Sequence, residues 1–442
     1  VARARIFWGF LISLNLLVAG FFIWRLQTDN QQAFLPGKAT HGHHQIELAC
    51  EACHIPFEGV PQQACLDCHA KELEMANDSH AESVFTDPRS LAELELLNAR
   101  LCVSCHVEHH PEMVTTMGVT VPDDHCFHCH FDIAEQRPTH TEMDFNTCAA
   151  AGCHNYHDNR ALYEDFLLQH SDEPWVLATP LVSRRDEPEA VGPLLSSREH
   201  DAPTDREVDP VLLAEWAGTV HARAGVNCSN CHVGESPGAR WSDSLTHEAC
   251  ESCHENEVSG FLAGKHGMRL ASGLSPMSPS LARLPMDPEA AQRELGCTSC
   301  HGAHEFDTVQ AAVDSCLGCH ADTHSKSYKD SPHFELWQAE ASGLAVPGSG
   351  VSCATCHLPR EPHRKGDDKR ILVQHNQNMN LQPNEKMIRG VCMKCHGFPF
   401  SIDALADPAL IERNFKGQPS RHVESVDMAV QRAVEDLRRK KK

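Results

Sequence analysis

Val351-Ser352-Cys353-Ala354-Thr355-Cys356-His357 contains the pattern that decides the fold: two cysteines three positions apart, with a histidine directly after the second. The same C-x-x-C-H signature stands at Cys50/Cys53-His54, Cys65/Cys68-His69, Cys102/Cys105-His106, Cys126/Cys129-His130 and Cys228/Cys231-His232. It recurs at Cys250/Cys253-His254, Cys297/Cys300-His301, Cys316/Cys319-His320 and Cys392/Cys395-His396. An eleventh copy, Cys148-Ala149-Ala150-Ala151-Gly152-Cys153-His154, has four residues between its thiols. Together the eleven motifs use all 22 cysteines of the 442-residue chain.

C-x-x-C-H is the attachment pattern for c-type haem: the two thiols add across the porphyrin vinyl groups, and the adjacent imidazole becomes the proximal iron ligand. Four small residues can bulge between the thiols and still let both reach one porphyrin edge. Paired C-x-x-C units could instead build zinc ribbons, or an even cysteine count a disulfide framework. Neither explains a histidine after every second cysteine. The expected cofactor is therefore eleven covalently bound haems c, with His54, His69, His106, His130, His154, His232, His254, His301, His320, His357 and His396 as proximal ligands.

The 32 histidines leave 21 outside the motifs, nearly twice what eleven distal positions need. The candidate distal ligands are His41, His44, His80, His110, His125, His140, His157, His221, His247, His266, His304, His324, His333 and His375. A distal ligand often comes from the neighbourhood of a different haem, which cross-links the array. Iron held by two imidazoles has no free site, so it passes electrons, and it does so at low potential because no methionine raises it.

Composition agrees. Aromatic residues make up 6% of the chain, and six of them (Phe7, Trp8, Phe10, Phe21, Phe22 and Trp24) sit in one N-terminal run. The remainder is thin material for a large core, so something other than side chains must fill the interior. A net charge of −23 argues against nucleic acid as a partner. Ionised haem propionates would deepen that charge, so a redox partner with a basic docking surface is expected.

Four segments follow from the pattern. Residues 1–40 hold an apolar run from Ile6 to Trp24, read as an uncleaved transmembrane anchor rather than a signal peptide because it is longer than a usual h-region. Haem attachment outside the cytoplasm places the haem modules in the periplasm of a bacterial inner membrane. Residues 41–170 carry five motifs. Residues 171–210, free of cysteine and rich in Pro, Glu, Asp, Arg and Ser, read as a linker. Residues 211–442 carry six motifs. Helices are predicted over 87–101, 211–223, 287–295, 407–415 and 425–437, with Gly296 as a helix stop. No alternating strand pattern persists, so the class is mainly α with extensive irregular chain, organised around stacked covalent haems.

Two resemblances extend this. Residues 41–170 resemble class III multihaem cytochromes c in motif density, in the His41-Gly42-His43-His44 cluster ahead of the first motif and in the C-x4-C-H variant. The resemblance implies closely packed bis-histidine haems. Residues 211–442 resemble the octahaem hydroxylamine oxidoreductase family over its last six haem positions. The shared string is Val351 to His357, then His375, then Met387-Ile388-Arg389-Gly390-Val391-Cys392 through His396. That likeness implies that the His254 haem stands where the family keeps its catalytic haem, with His247 or His266 nearby as a proton donor. The tyrosine that the oxidising enzymes cross-link to that haem has no counterpart, since Phe398-Pro399-Phe400 follows the last motif. The expected function is electron relay in anaerobic respiration, from quinol or a quinol dehydrogenase to a periplasmic acceptor. The alternatives are a reductase of nitrite, hydroxylamine or a sulfur oxyanion at one open haem, and an extracellular filament.

Overall fold

The structure, a computed structural model, describes all residues except 1, 28–30, 77–79, 81–84, 89–90, 116–117, 123, 138–139, 142–155, 158–163, 181–193, 235–238, 366–367, 382–383 and 441–442. Helix α1, Ala2–Gln27, follows from the apolar run, which only Ser13 and Asn15 interrupt. Its stretch Arg5–Arg25, 21 residues, spans about 32 Å at ~1.5 Å per residue, which matches a bilayer core of ~30 Å. Apolar side chains point outward all round it, Ile6 being 73% and Leu17 72% exposed. It is the one helix among the described residues long and apolar enough to cross a membrane.

Beyond α1 the chain is short helices and turns joined by irregular segments. Most described motifs coincide with a single helical turn, as in Cys102–Cys105, Cys228–His232, Cys297–His301 and Cys353–His357. One turn sets the two thiols of a pair on the same face. Caps hold these turns. The Ser352 hydroxyl accepts from the Thr355 N–H, and the Thr355 hydroxyl accepts in turn from the Ser352 N–H. Two motifs begin or sit within longer helices, α2 (Gln62–Ala76) and α3 (Glu248–Ala263). The latter is kinked at His254, where φ −118° and ψ 40° leave helical geometry.

A packed apolar cluster lies near the C-terminus. It joins Leu167 of the helix Glu164–His170 to Met387, Ile388, Phe398, Ile402, Leu405, Val426 and Ala429. Phe398, Ile402 and Leu405 belong to α4 (Phe398–Leu405), while Val426 and Ala429 belong to α5 (Ser425–Lys440). Residues 164–177 therefore pack with the C-terminal module. The Leu177 N–H donates to Cys395 O, the Gly397 N–H donates to Pro174 O, and the Phe398 N–H donates to Glu173. The 194–210 stretch likewise lies against that module, with Leu195 N–H on Ala222 O and Asp201 N–H on Asn227. The 171–210 segment, expected to be a linker, is thus partly bound wherever it is described.

Several helices differ from expectation. The 87–101 helix shortens to Leu91–Leu96, and 211–223 breaks at Gly218-Thr219 into Pro210–Ala217 and Val220–Arg223. The 407–415 helix is Pro408–Glu412, and 425–437 extends to Lys440. The 287–295 helix is replaced by a 3-10 turn, Pro288–Ala290, because the backbone bonds elsewhere: Leu295 N–H donates to Met277 O, and Ala291 O accepts from Ser280 N–H. Gly296, expected to end a helix, instead precedes the Cys297–His301 turn in extended conformation. A hairpin of β1 (Arg360–Lys365) and β2 (Asp368–Val373) pairs Arg360 with Val373 and Lys365 with Asp368. It carries no apolar alternation that would announce it.

Besides the 164–177 packing, polar contacts among the described residues join the 42–72 stretch to the C-terminal module. Lys265 donates to Gly42 O, Arg269 to Gln45 O and Arg283 lies 3.9 Å from Glu47. Elsewhere Lys386 pairs with Glu72.

Candidate haem-iron sites

Each of the ten described motif histidines stands across from one non-motif imidazole. In the N-terminal module the ring centres of His69 and His43 are 6.0 Å apart, of His54 and His109 6.4 Å, of His130 and His80 6.3 Å, and of His106 and His157 6.4 Å. In the C-terminal module His254 stands across from His221 at 6.0 Å, His232 from His304 at 6.0 Å, and His320 from His266 at 6.3 Å. His301 and His375 are 6.3 Å apart, His357 and His324 6.2 Å, and His396 and His333 6.2 Å.

Two imidazoles sharing one metal at bonds of about 2.0 Å place their ring centres about 6.3 Å apart. The separations stay within 6.0–6.4 Å while the interplanar angles run from 10° to 87°. Rotation of the rings about a common axis through a shared central atom would give such a pattern. It is not ring stacking, which in this chain brings Tyr156 to 4.1 Å from His80 and Trp241 to 4.5 Å from His232.

At several of these rings the outer nitrogen is engaged in the way a ligating imidazole would require. A backbone carbonyl on Nδ1–H fixes the tautomer and leaves Nε2 for the metal. His106 reaches Gly118 O, His232 reaches Ser242 O and His396 reaches Trp175 O. Among the opposing rings His80 reaches Tyr156 O, His109 reaches Gly37 O, His324 reaches Ile411 O and His375 reaches Val373 O. At His43 and His69 the acceptors are carboxylates, Glu108 at 2.6 Å and Glu72 at 3.3 Å. Burial holds His266, His333 and His357 down to about 4, with neighbouring imidazoles adding to the effect. These rings are therefore neutral near pH 7, with a lone pair available for a metal.

The thiols show how the sites are arranged. Thiols of consecutive motifs lie beside each other at Cys65 and Cys102, Cys250 and Cys297, and Cys316 and Cys353. Burial first, and then a neighbouring motif's thiol, pushes up Cys105 (beside Cys126), Cys231 (beside Cys250), Cys300 (beside Cys316) and Cys356 (beside Cys395), while at Cys53 burial is followed by the Glu108 carboxylate and then by Cys68. Motifs one to four, and six to eleven, are therefore neighbours in space in the same order as in sequence.

The motif cysteines differ in their surroundings. Cys50, Cys68, Cys129 and Cys253 are exposed, Cys319 is buried, and the other described cysteines lie between these extremes. Cys129 is exposed because its turn, Phe127–His130, stands at the surface, with Phe127 and Phe131 on either side also exposed. Cys253 shares an exposed stretch of α3 with Glu251 and Ser252, just before the kink at His254. Cys319 is covered instead by the 285–287 strand of chain: the Asp287 N–H donates to Cys319 O, and Met286 bridges His320. A porphyrin joined at Cys129 or Cys253 would thus have one edge near solvent, while one joined at Cys319 would have that edge enclosed. The disulfide reading finds no support, since no cysteine among the described residues is in a disulfide.

This arrangement fits haem and not a bare ion. No group of three or more His, Cys, Asp or Glu able to hold a metal occurs among the described residues, whereas a zinc ribbon needs four ligands together. Haem needs only two axial ligands from the protein, because its porphyrin supplies the other four.

Of the sequence candidates, His80, His157, His221, His266, His304, His324, His333 and His375 each stand opposite a motif ring. His41 and His44 instead stack on each other at 5.7 Å. His110 bonds Glu112, His125 bonds Pro122 O, and His247 sits at the start of α3 without a capping bond. The His140 N–H donates to Arg137 O. The motif Cys148, Cys153 and His154 lies outside the described residues. Two opposing rings were absent from the candidates, His43 and His109. His109 was legible: it stands three residues after His106, as His304 stands three after His301. Nothing in the local sequence separates His43 from His41 and His44.

Comparison with known proteins matched no family model, no curated protein and no solved structure.

Proposed function

We propose that this chain is a membrane-anchored c-type cytochrome with eleven haems that relays electrons between the quinol pool and a periplasmic acceptor. The observation that carries this reading is that all ten described motif histidines have a second imidazole opposite them at iron-spanning distance. Bound haem would supply a reversible one-electron ferric/ferrous couple. The chain's paired imidazoles would hold such an iron from both sides and so keep substrates off it. Its neighbouring thiols from successive motifs would set porphyrin edges side by side in two runs. Helix α1 would hold these runs at the membrane, and the acidic surface would favour a basic partner.

Reduction of nitrite, hydroxylamine or a sulfur oxyanion would need an open face, and the resemblance points to His254 for it. His221 stands across from that ring at 6.0 Å, and His266, the candidate proton donor, stands across from His320 instead. The test is an EPR spectrum of the oxidised protein with a pyridine haemochrome count. Relay predicts eleven haems and low-spin ferric signals for at least ten of them. A high-spin signal worth two or more haems overturns it.

A further inference from the structure

The second motif differs from its neighbours in what its two rings donate to. His69 and the ring across from it, His43, both meet carboxylates. Glu108 is locked in place by the Thr40 N–H at 2.8 Å and the Thr40 hydroxyl at 2.7 Å, so it is aimed at His43. Glu72 stands three residues after His69 on α2 and also takes the ammonium of Lys386, which arrives from the C-terminal module and bonds Asn378 O as well. At the first site His109 donates to the neutral Gly37 carbonyl, and at the third His106 donates to Gly118 O.

A carboxylate on Nδ1–H draws the imidazole toward imidazolate and strengthens it as a donor. It also adds negative charge beside the iron. Both effects favour the ferric state. We propose that Glu72 and Glu108 are potential-setting residues that make the Cys65/Cys68-His69 site more reducing than the sites on either side, with Lys386 as an adjustable counter-charge supplied by the other module. The inference rests on the haem reading above. When one electron passes from a neighbouring ferrous haem to this ferric one, the neighbour is oxidised and this iron reduced. The Nδ1 protons stay on both rings, donated to the two carboxylates throughout. The relay then contains an internal uphill step whose height depends on how firmly the modules are joined at Lys386.

The test is a spectropotentiometric titration of the full chain, with haem content measured in parallel, for wild type, Glu72→Gln, Glu108→Gln, Glu108→Asp and Lys386→Gln. Each Gln variant at a glutamate should raise the ferrous-to-ferric ratio of one haem at fixed potential about tenfold, which is about 59 mV for one electron. The shift should appear in one-eleventh of the amplitude. Lys386→Gln should move the same component the opposite way, and Glu108→Asp should hold it near the wild-type position. Eleven haems with no component moved by either glutamate variant, or Lys386→Gln moving in the same direction as they do, overturns the inference. A wild-type chain without covalent haem overturns the haem reading itself.

Discussion

His109 and His304 adopt φ of 65° and 70°, a region that costs a non-glycine residue roughly 1–3 kcal/mol unless its surroundings impose it. Each stands three residues after a motif histidine, too close to reach over its own haem, and each serves an earlier motif instead. The left-handed turn is what swings the ring outward. Gly37 belongs to the same device, because a Cβ there would collide with the His109 carbonyl oxygen. Two outcomes follow at this scale. His304→Ala should leave the His232 iron with one axial ligand and give a high-spin ferric EPR signal worth one haem, the others staying low-spin. Gly37→Ala should give the same signature at the His54 site by displacing His109. An unchanged low-spin spectrum in both variants would contradict the pairing. The motif cysteines and histidines are read from the sequence alone, because covalent haem attachment would fix their spacing to a few residues. Their surroundings are not: the motif spacing is the same at exposed Cys129 and Cys253 as at buried Cys319. Eight of the ten opposing rings are among the sequence candidates, but which motif each faces is legible only where a short offset recurs, as at His304. His43 is selected over His41 and His44 by Thr40 and by Glu108, the latter 65 residues away, and no local pattern records that choice.

Helices α4 and α5 are held by the apolar cluster and by a charged clasp. Phe398 is fully buried, so Phe398→Ala should destabilise the holoprotein by about 3–5 kcal/mol, seen as a lower thermal midpoint with haem content unchanged. The clasp is His422, whose Nδ1 lies 2.9 Å from Asp403 at α4 and whose Nε2 lies 2.8 Å from Asp427 in α5. Asp403 first and then Asp427 raise the imidazole to about 9. Its folded value lies above the unfolded one of about 6.5, so the clasp is fully stabilising below about pH 6.5 and is lost as pH rises through 9. The group is half exposed, so the effect is screened and small. The thermal midpoint of His422→Gln should fall below wild type at pH 6 and coincide with it at pH 10; a pH-independent difference would rule the clasp out. Element boundaries were less legible than motifs. The 287–295 stretch has a good helix start, but its backbone groups bond the 277–280 loop. Such competition depends on what lies alongside, which a one-dimensional pattern does not contain.

Across the whole molecule the ligand pairs form overlapping loops. In the N-terminal module the spans 43–69, 54–109, 80–130 and 106–157 each overlap the next. In the C-terminal module 221–254, 232–304, 266–320, 301–375, 324–357 and 333–396 do the same. Among the described residues none of these ten spans crosses from 157 to 221, and the two groups of pairs meet through surface contacts. The acidic charge belongs to this scale as well. Electron transfer to a basic acceptor protein should slow as ionic strength rises past about 0.1 M, where the Debye length is about 10 Å. Stopped-flow rates independent of salt would remove electrostatic steering. Two modules could be read from motif density and the cysteine-free gap between them. Their contact through Lys265, Arg269 and Lys386 could not, because each cation meets a group more than 200 residues away.

The direction of each ligand pair also fixes an order of assembly for a chain exported N-terminus first. His69, His130, His254, His320, His357 and His396 have partners already translocated when their motifs emerge, so those sites can close at once. His54, His106, His232 and His301 must wait for His109, His157, His304 and His375, which lie 51 to 74 residues further on. Early and late closure alternate along much of the chain. During maturation, the half-finished His106 and His301 sites would each lie between two finished ones, which would hold a reactive iron inside a partly built module until its second ligand arrives.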